Sequence, residues 1–204
     1  MTRYRSPRRE DAAAATREAI ISSARDLFLA HGYSGVTVAQ IAAAARVAVQ
    51  TVYSSAGSKA AILSALLEPV VNDPAVNEVM DAIVAATDPR EIVGLTAAGT
   101  RRTHERHWSL VFGLLHEGVG EPAAADVVRA AMDAYVAALS TVAGRLVTLD
   151  ALRPGLDRAR AVDLLWFYLG QRAWLVLVGE REWTFDQAEE WLAASARQAL
   201  LRVP

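Results

Sequence analysis

The chain has no cysteine, and that absence excludes two kinds of site. Without thiols there can be no disulfide and no thiolate metal centre, a composition typical of a cytoplasmic protein. The sequence also lacks a glycine-rich phosphate loop, a GxSxG motif and an HExxH motif. His104 and His107 could share a metal, but no third ligand follows at a motif spacing. The pattern predicts a protein that is not an enzyme and needs no cofactor or metal.

Two further absences concern membranes and export. No apolar run reaches the roughly 18 residues that a transmembrane helix needs. The start, MTRYRSPRRE, contains no apolar core of a secretory signal. We therefore expect no membrane segment. What remains, 204 residues of which 53% are hydrophobic, is enough for one large or two small domains with a substantial core.

Charge is distributed unevenly along the chain. Residues 1–60 contain eight Lys/Arg and four Asp/Glu, a balance of +4, and the totals of 21 and 23 leave 13 basic and 19 acidic residues beyond them, a balance of −6. The first part of the chain is thus expected to attract polyanions. Residues 1–9 hold four arginines and no acid, which predicts a flexible basic arm that tracks DNA or is simply a solvated tail.

Hydrophobic periodicity and helix start signals predict helices throughout, with no convincing strand and no repeat. An amphipathic helix is expected over residues 10–31, ended by Gly32 in a left-handed cap. Pro154 and Gly155 break the chain further on. Beyond residue 58, the predicted helices begin near residues 59, 74, 89, 122, 156 and 184, and the last four end near residues 116, 148, 179 and 202.

The stretch TVAQIAAAARVAVQTVYSSAGSK, residues 37–59, predicts two short helices joined by a tight turn. Thr37 can cap the first helix, and Gln40 can complete a capping box. Small apolar residues of the first helix would share a core with Val47 and Val52, which leaves the polar side of the second helix facing outward. A unit of this shape is suited to lie on DNA.

The outward side of the second helix is uncharged and carries amide and hydroxyl groups. Residues 49–51 are expected against base edges in a major groove. Thr37, Tyr53 and Lys59 are expected on phosphates. The full set predicted to contact DNA is Thr37, Val49, Gln50, Thr51, Tyr53, Ser54, Ser55 and Lys59.

Over about the first 65 residues the sequence resembles the TetR family of one-component transcriptional regulators. The matching positions are Ile20, Ala24, Leu27, Phe28, Gly32, Tyr33, Thr37, Val38, Ile41, Ala42, Val47, Thr51, Val52, Tyr53, Ser58 and Lys59. The chain departs from the family at Arg46, where glycine is usual in the turn, and at Ala48, where serine would cap the second helix. Ser55 and Ala56 replace a histidine and an aromatic residue, so the family's imidazole contact to phosphate is absent.

The C-terminal part places aromatic and polar residues at helical spacings, where they either line a small-molecule pocket or fill the core. The candidate effector residues are Trp108, Phe112, His116, Met132, Tyr135, Trp166, Gln171, Arg172 and Trp174. The resemblance implies that a small hydrophobic effector binds inside this domain and shifts the helix after Ser58, which links the domain to the DNA reader.

The last two predicted helices carry more apolar surface than one domain of this size can cover, which predicts a homodimer. The predicted interface residues are Trp166, Leu177, Trp191, Leu192, Ser195 and Ala199. Residues 155–157, 163–166, 177–184 and 191–192 resemble a TetR subfamily in which the last two helices form a four-helix dimer interface, with Glu182 where glycine is common. A twofold dimer would match two half-sites about one helical turn apart.

These observations predict an all-α protein with a basic arm at 1–9, a three-helix helix-turn-helix DNA-binding domain at 10–57, and a larger helical effector-binding and dimerisation domain at 58–204. The predicted function is a ligand-responsive transcriptional regulator, most simply a repressor that binds a palindromic operator in double-stranded DNA as a homodimer. Two alternatives stay open: a DNA-binding dimer without an effector, and a helical small-molecule-binding enzyme whose first domain is vestigial.

Overall fold

The computed structural model describes residues 7–115 and 121–202. Residues 1–6 of the predicted basic arm and His116 of the predicted effector set lie outside the described residues. The first helix already includes Pro7, so residues 7–9 belong to it and not to an arm. Among the described residues the regular structure is helical, apart from an isolated antiparallel bridge between Leu152 and Leu201, which confirms the all-α prediction.

The chain divides into two compact units. The first is built from the residues up to Pro69 together with Gly113–Arg129, and the second from Val70–Phe112 together with the residues from Ala130 onward. Most of the helix that follows Ser58 therefore groups with the helix-turn-helix residues.

The first unit is organised around three helices that contact one another pairwise, α1 Pro7–His31, α2 Val38–Ala44 and α3 Val49–Ala56. They are followed by α4, Lys59–Val71. Gly32 has φ +70 and ends α1, as predicted. Ile20, Phe28, Ile41 and Val52 are 0% exposed, so each of the three helices contributes to the core at the spacing that its apolar residues predicted.

The second unit contains the remaining helices, although α8 begins in the first unit. They are α5 Pro74–Ala85, α6 Pro89–Arg106, α7 Trp108–Leu110, α8 Pro122–Thr148, α9 Arg158–Leu169, α10 Gln171–Trp174 and α11 Phe185–Leu200. α11 packs on both α6 and α9, and α5 packs on α6. Asp73, Asp88 and Thr184 accept hydrogen bonds from backbone N–H groups at the starts of α5, α6 and α11, so the predicted start signals are confirmed.

Two predicted long helices are interrupted. The helix expected to run to residue 116 ends at Arg106, and α7 leads into a π-helical segment, Val111–Leu115. The helix expected over 156–179 breaks at Gly170, and a second π-helical segment, Leu175–Glu180, follows α10. A Cβ at Gly170 would collide with the carbonyl oxygen of Trp166, so the break requires glycine.

Two helical segments of the structure are both long and apolar. By length and composition alone, Pro122–Thr148 and the combined segment Arg158–Glu180 are each sufficient to cross a membrane, a test that core helices also pass. Of their most apolar windows, 22% and 28% are buried within the described residues. Most residues of both windows are therefore not fully buried by the described part of the chain.

Candidate nucleic-acid interface and effector core

The turn between α2 and α3 is tight and contains a residue in a left-handed conformation. Arg46 has φ +56, and its N–H donates to the carbonyl oxygen of Ala43 at 3.2 Å. Val47 N–H donates to the Ala42 carbonyl at 2.9 Å, which closes the turn. Residues with a Cβ rarely adopt positive φ. The structure thus gives a physical reason for the glycine that is usual at position 46 in the resembled family.

The entry to α2 is held by the predicted capping box. Thr37 Oγ1 accepts a hydrogen bond from Gln40 N–H at 3.3 Å, and Gln40 Oε1 accepts from Thr37 N–H at 2.8 Å. Thr37 remains exposed. Ala48 occupies the equivalent position before α3 and makes no side-chain cap. Helix α2 therefore begins with a side-chain cap, and α3 begins without one.

Helix α3 separates apolar from polar residues as the sequence predicted. Val52 is 0% and Ala56 7% exposed, and both face the core. On the opposite side Val49 is 42% and Tyr53 50% exposed, and Gln50 is also exposed.

The hydroxyl-bearing residues of α3 are less available for new contacts than its amide residue, Gln50. Thr51 and Ser55 are half-buried, whereas Ser54 is exposed but donates its hydroxyl to the Thr51 carbonyl at 3.2 Å. Gln50 has both a carbonyl and an NH₂ group on an exposed side chain, so it is the residue of this helix best suited to bidentate contact with a base.

Lys59 occupies a different environment from the one predicted. Its side chain is 14% exposed, and Nζ donates to the carbonyl oxygens of Tyr33 at 3.2 Å and Val36 at 3.0 Å. It also pairs with Glu121 Oε1 at 2.5 Å. An ammonium group has three N–H donors, and all three are used. In this conformation Lys59 therefore has a structural role that the sequence did not predict.

The contacts of Lys59 fix the loop between α1 and α2. Nζ lies 4.2 Å from the centre of the Tyr33 ring, a cation–π distance. Burial, and secondarily the negative charge of Glu121, raise the pKa of Tyr33 to about 12, so the ring beside the ammonium stays neutral. Because Val36 directly precedes Thr37, the same contacts position the start of α2.

In the second unit the predicted effector residues fall into two groups. The first is a set of neighbouring rings that are tilted against one another. The ring centroids of Trp108 and Phe112 are 3.8 Å apart, and those of Trp174 and Phe185 are 6.1 Å apart. Trp174 is 0% and Phe112 8% exposed. Phe185, which also meets Trp108 at 5.3 Å, was not predicted.

The second group surrounds the carbonyl oxygen of Leu169, which is not used within α9 because the helix breaks at Gly170. Tyr135 OH donates to this oxygen at 3.0 Å and Trp174 Nε1 donates to it at 3.2 Å. Burial raises the pKa of Tyr135 to about 12, against a hydrogen bond with Thr100 that lowers it, and the phenol remains a donor.

Four predicted effector residues remain, and three of them contact each other or the groups above. Trp166 lies 5.5 Å from the ring of Tyr135, and Gln171 Nε2 donates to Met132 Sδ at 3.6 Å. Arg172 is exposed and joins neither group, so the structure does not bring it to the predicted set.

Sequence reasoning missed His104 as part of this region and considered it only as a metal ligand. Its side chain is buried, with ring centroids of Phe112 and Trp174 each 5.7 Å away, and its Nδ1 has no hydrogen-bond partner. Burial lowers the pKa of His104 to about 3. The available signal was its position four residues after Thr100 on α6, on the buried side of that helix. Within the described ranges no group of His, Asp and Glu is arranged to hold a metal ion.

The predicted dimer residues are not all on the surface. Trp191 is 49% exposed, whereas Leu192 is 1% exposed and belongs to the core of the protomer. Trp166, Leu177, Ser195 and Ala199 are half-buried. Phe167, 69% exposed on α9, was not predicted and presents more apolar surface than any of these.

Residues 20–66 match the family model described as bacterial regulatory proteins, tetR family. No curated protein matches the chain. Among solved structures, NalD, the secondary repressor of the MexAB-OprM multidrug efflux pump in Pseudomonas aeruginosa, superposes with a TM-score of 0.77 at 23% identity, covering 95% of this chain and 98% of NalD.

Two ligand-bound structures have the same fold. The SmeT–triclosan complex gives a TM-score of 0.72 at 18% identity, covering 92% of each chain. AibR in complex with isovaleryl coenzyme A and operator DNA gives 0.62 at 20% identity, covering 88% of this chain and 97% of AibR. Residues 20–66 are thus similar to the tetR family of bacterial regulatory proteins, and the chain shares its fold with these solved structures.

Proposed function

We propose that the protein is a ligand-responsive transcriptional regulator that binds a palindromic operator as a homodimer and represses the genes beside it. The observation that carries the proposal is the exposed, uncharged face of α3, with Gln50 at its centre, on a helix-turn-helix whose apolar side is fully packed. Such a face suits the major groove, where amide groups distinguish base pairs.

The DNA contacts divide into two roles. Val49, Gln50 and Thr51 lie at the N-terminal end of α3, the end that contacts base edges in this motif, and they are proposed to read sequence. Thr37, Tyr53 and the serines at 54 and 55 are proposed to hold phosphates. Lys59 supports them by fixing the α1–α2 loop.

Self-association is supported by exposed apolar side chains on two neighbouring helices. Phe167 on α9 and Trp191 on α11 are 69% and 49% exposed, and α9 and α11 pack on each other. A second copy of the chain would cover this surface. We expect Phe167→Glu combined with Trp191→Glu to convert a dimer to a monomer in sedimentation experiments, whereas Val84→Glu, at a residue 55% exposed on α5, serves as the matched control and leaves the dimer intact.

Effector control is supported by the aromatic and polar core of the second unit. The related structures include one with triclosan and one with isovaleryl coenzyme A. A ligand that prefers one conformation of the dimer shifts the population towards it. We propose that the preferred conformation separates the two α3 helices by a distance that does not match the operator.

The decisive experiment selects a duplex from random DNA with the full-length protein and then measures fluorescence anisotropy. Gln50→Ala should change which sequence is preferred, by about 1–3 kcal/mol at the contacted base pair. Gln198→Ala, an exposed glutamine of α11, is the control and should leave the preference unchanged. If the protein binds no duplex in a salt-dependent way, the proposed function is wrong.

A further inference from the structure

Two buried polar atoms of the second unit have no hydrogen-bond partner. Among the residues that the structure describes, the buried side-chain nitrogen and oxygen atoms without a hydrogen bond are Nδ1 of His104 and Nε2 of His107. His107 Nε2 still has Asp73 Oδ2 at 3.6 Å. His104 has no such neighbour, and because buried polar groups are almost always paired, its nitrogen calls for an explanation.

The surroundings of His104 are aromatic. Its ring lies edge-on to Phe112 and Trp174, with both centroids 5.7 Å away, and Trp108 and Phe185 extend the cluster. These rings provide flat apolar surfaces around a single hydrogen-bonding atom. Apolar walls with one or two convergent polar groups are typical of small-molecule sites.

The arginines nearest this imidazole along α6 are either paired or exposed. Arg101 contacts Asp186 and Glu189 at 2.5 Å and 3.0 Å, Arg106 contacts Asp73 at 2.6 Å, and Arg102 is exposed to solvent. Burial lowers the pKa of His104 to about 3, so the imidazole is neutral at physiological pH. A buried carboxylate or phosphate would therefore find no counter-charge here.

Both sides of the cluster are built from irregular helix. Phe112 lies in the π-helical segment Val111–Leu115, and Trp174 immediately precedes the other, Leu175–Glu180. Short π-helical segments are frequent at functional sites. This is a second observation, independent of the unpaired nitrogen, that marks the same cluster.

We propose that the effector is a neutral, ring-containing apolar compound with one hydroxyl group, which binds among Phe112, Trp174 and their neighbours with that hydroxyl on His104 Nδ1. A neutral imidazole nitrogen is either a bare acceptor or an N–H donor, and a hydroxyl can satisfy both. The inference rests on the proposed function and names the chemical class of the ligand and the residue that recognises it.

A matched set of three probes tests the chemistry. 2-Naphthol, naphthalene and 2-naphthoate share one ring system and differ in a hydroxyl, a hydrogen and a carboxylate. Equilibrium dialysis against the full-length protein should give 2-naphthol the tightest binding, about tenfold tighter than naphthalene, as one added hydrogen bond predicts. If no probe binds, or if 2-naphthoate binds tightest, the proposal is overturned.

Substitution assigns the effect to one nitrogen. His104→Phe should keep naphthalene binding and lose the preference for 2-naphthol, whereas His31→Gln, at an exposed histidine of α1, should change neither. A 2-naphthol preference that survives in folded His104→Phe overturns the proposal. If that variant does not fold, ¹⁵N NMR of the wild-type imidazoles decides the matter, because only His104 should shift with 2-naphthol and not with naphthalene.

Two further outcomes separate this inference from the proposed function. A protein that binds its selected duplex but shows no His104-dependent recognition of 2-naphthol remains a DNA-binding regulator, and only the effector class is wrong. Release of the duplex by 2-naphthol from the wild-type protein but not from His104→Phe supports both proposals together.

Discussion

The two units of the molecule differ in how a polar side chain in the interior is hydrogen-bonded. In the first, Lys59 donates all three of its hydrogens, to Tyr33, Val36 and Glu121, and lies against an aromatic ring. In the second, His104 is surrounded by aromatic rings and leaves Nδ1 without any partner. The comparison teaches that burial alone does not separate structure from function. The satisfied group stabilises a loop, and the unsatisfied one is free to recognise a ligand.

The largest effect is expected on replacing Lys59, the side chain whose hydrogen-bond donors are all paired. Lys59→Met keeps an apolar stem beside Tyr33 but leaves two carbonyl groups unpaired, so we expect a loss of about 2–4 kcal/mol of unfolding free energy in urea titrations. Arg25→Met, which breaks an exposed pair with Asp26, is the control and should cost about 0.5 kcal/mol or less. Unchanged stability together with a flatter salt dependence of DNA binding would return Lys59 to the phosphate role.

The next largest effect is expected in the pH dependence of stability, through the unpaired imidazole of His104. The pKa of His104 is lowered from 6.5 to about 3, so between these values the unfolded chain binds a proton that the folded chain excludes. Stability therefore falls as the pH is lowered through this window. Between pH 7 and pH 5, wild-type protein should lose about 2 kcal/mol more unfolding free energy than His104→Phe. Equal losses in the two proteins would show that the imidazole is not desolvated.

A smaller gain in stability is expected from adding a helix cap in the first unit. Ala48 precedes α3 without a side-chain cap, and Ala48→Ser should add about 1 kcal/mol of unfolding free energy. Ala44→Ser, at an exposed position inside α2, lacks the cap geometry and should not stabilise. A thermal melt that ranks the two variants the other way would contradict the assignment of the helix start.

The smallest effect concerns the turn. Arg46 has φ +56, so Arg46→Gly relieves backbone strain, but glycine also gains entropy in the unfolded chain. We expect a net gain of about 0.5 kcal/mol in denaturant titrations. Arg46→Ala, which keeps a Cβ at the same φ, should give no gain. A stabilising alanine would mean that the conformation of the backbone is not the source of the effect.

Local signals predicted the parts of the fold that depend on neighbours in sequence. Thr37 with Gln40 forms the predicted capping box, Thr184 with Gln187 forms a second one at the start of α11, and Asp73 and Asp88 begin the helices predicted near residues 74 and 89. These hydrogen bonds span two or three residues, so the sequence contains all that is needed to find them.

Tertiary contacts decided the rest. The partners of Lys59 lie 23, 26 and 62 residues away, a distance at which spacing carries no signal. The break at Gly170 is local, since the clash that a Cβ would make is with the Trp166 carbonyl four residues earlier, but helical periodicity does not reveal it. The isolation of His104 Nδ1 is likewise visible only when the rings from α10 and from the π-helical segment after α7 are in place.

The carbonyl group of Leu169 holds two aromatic side chains that come from different helices. Tyr135 belongs to α8 and Trp174 to α10, and both donate to this one oxygen. One acceptor therefore joins α8 to α10. Because no charged group takes part in this connection, salt concentration should leave it unaffected.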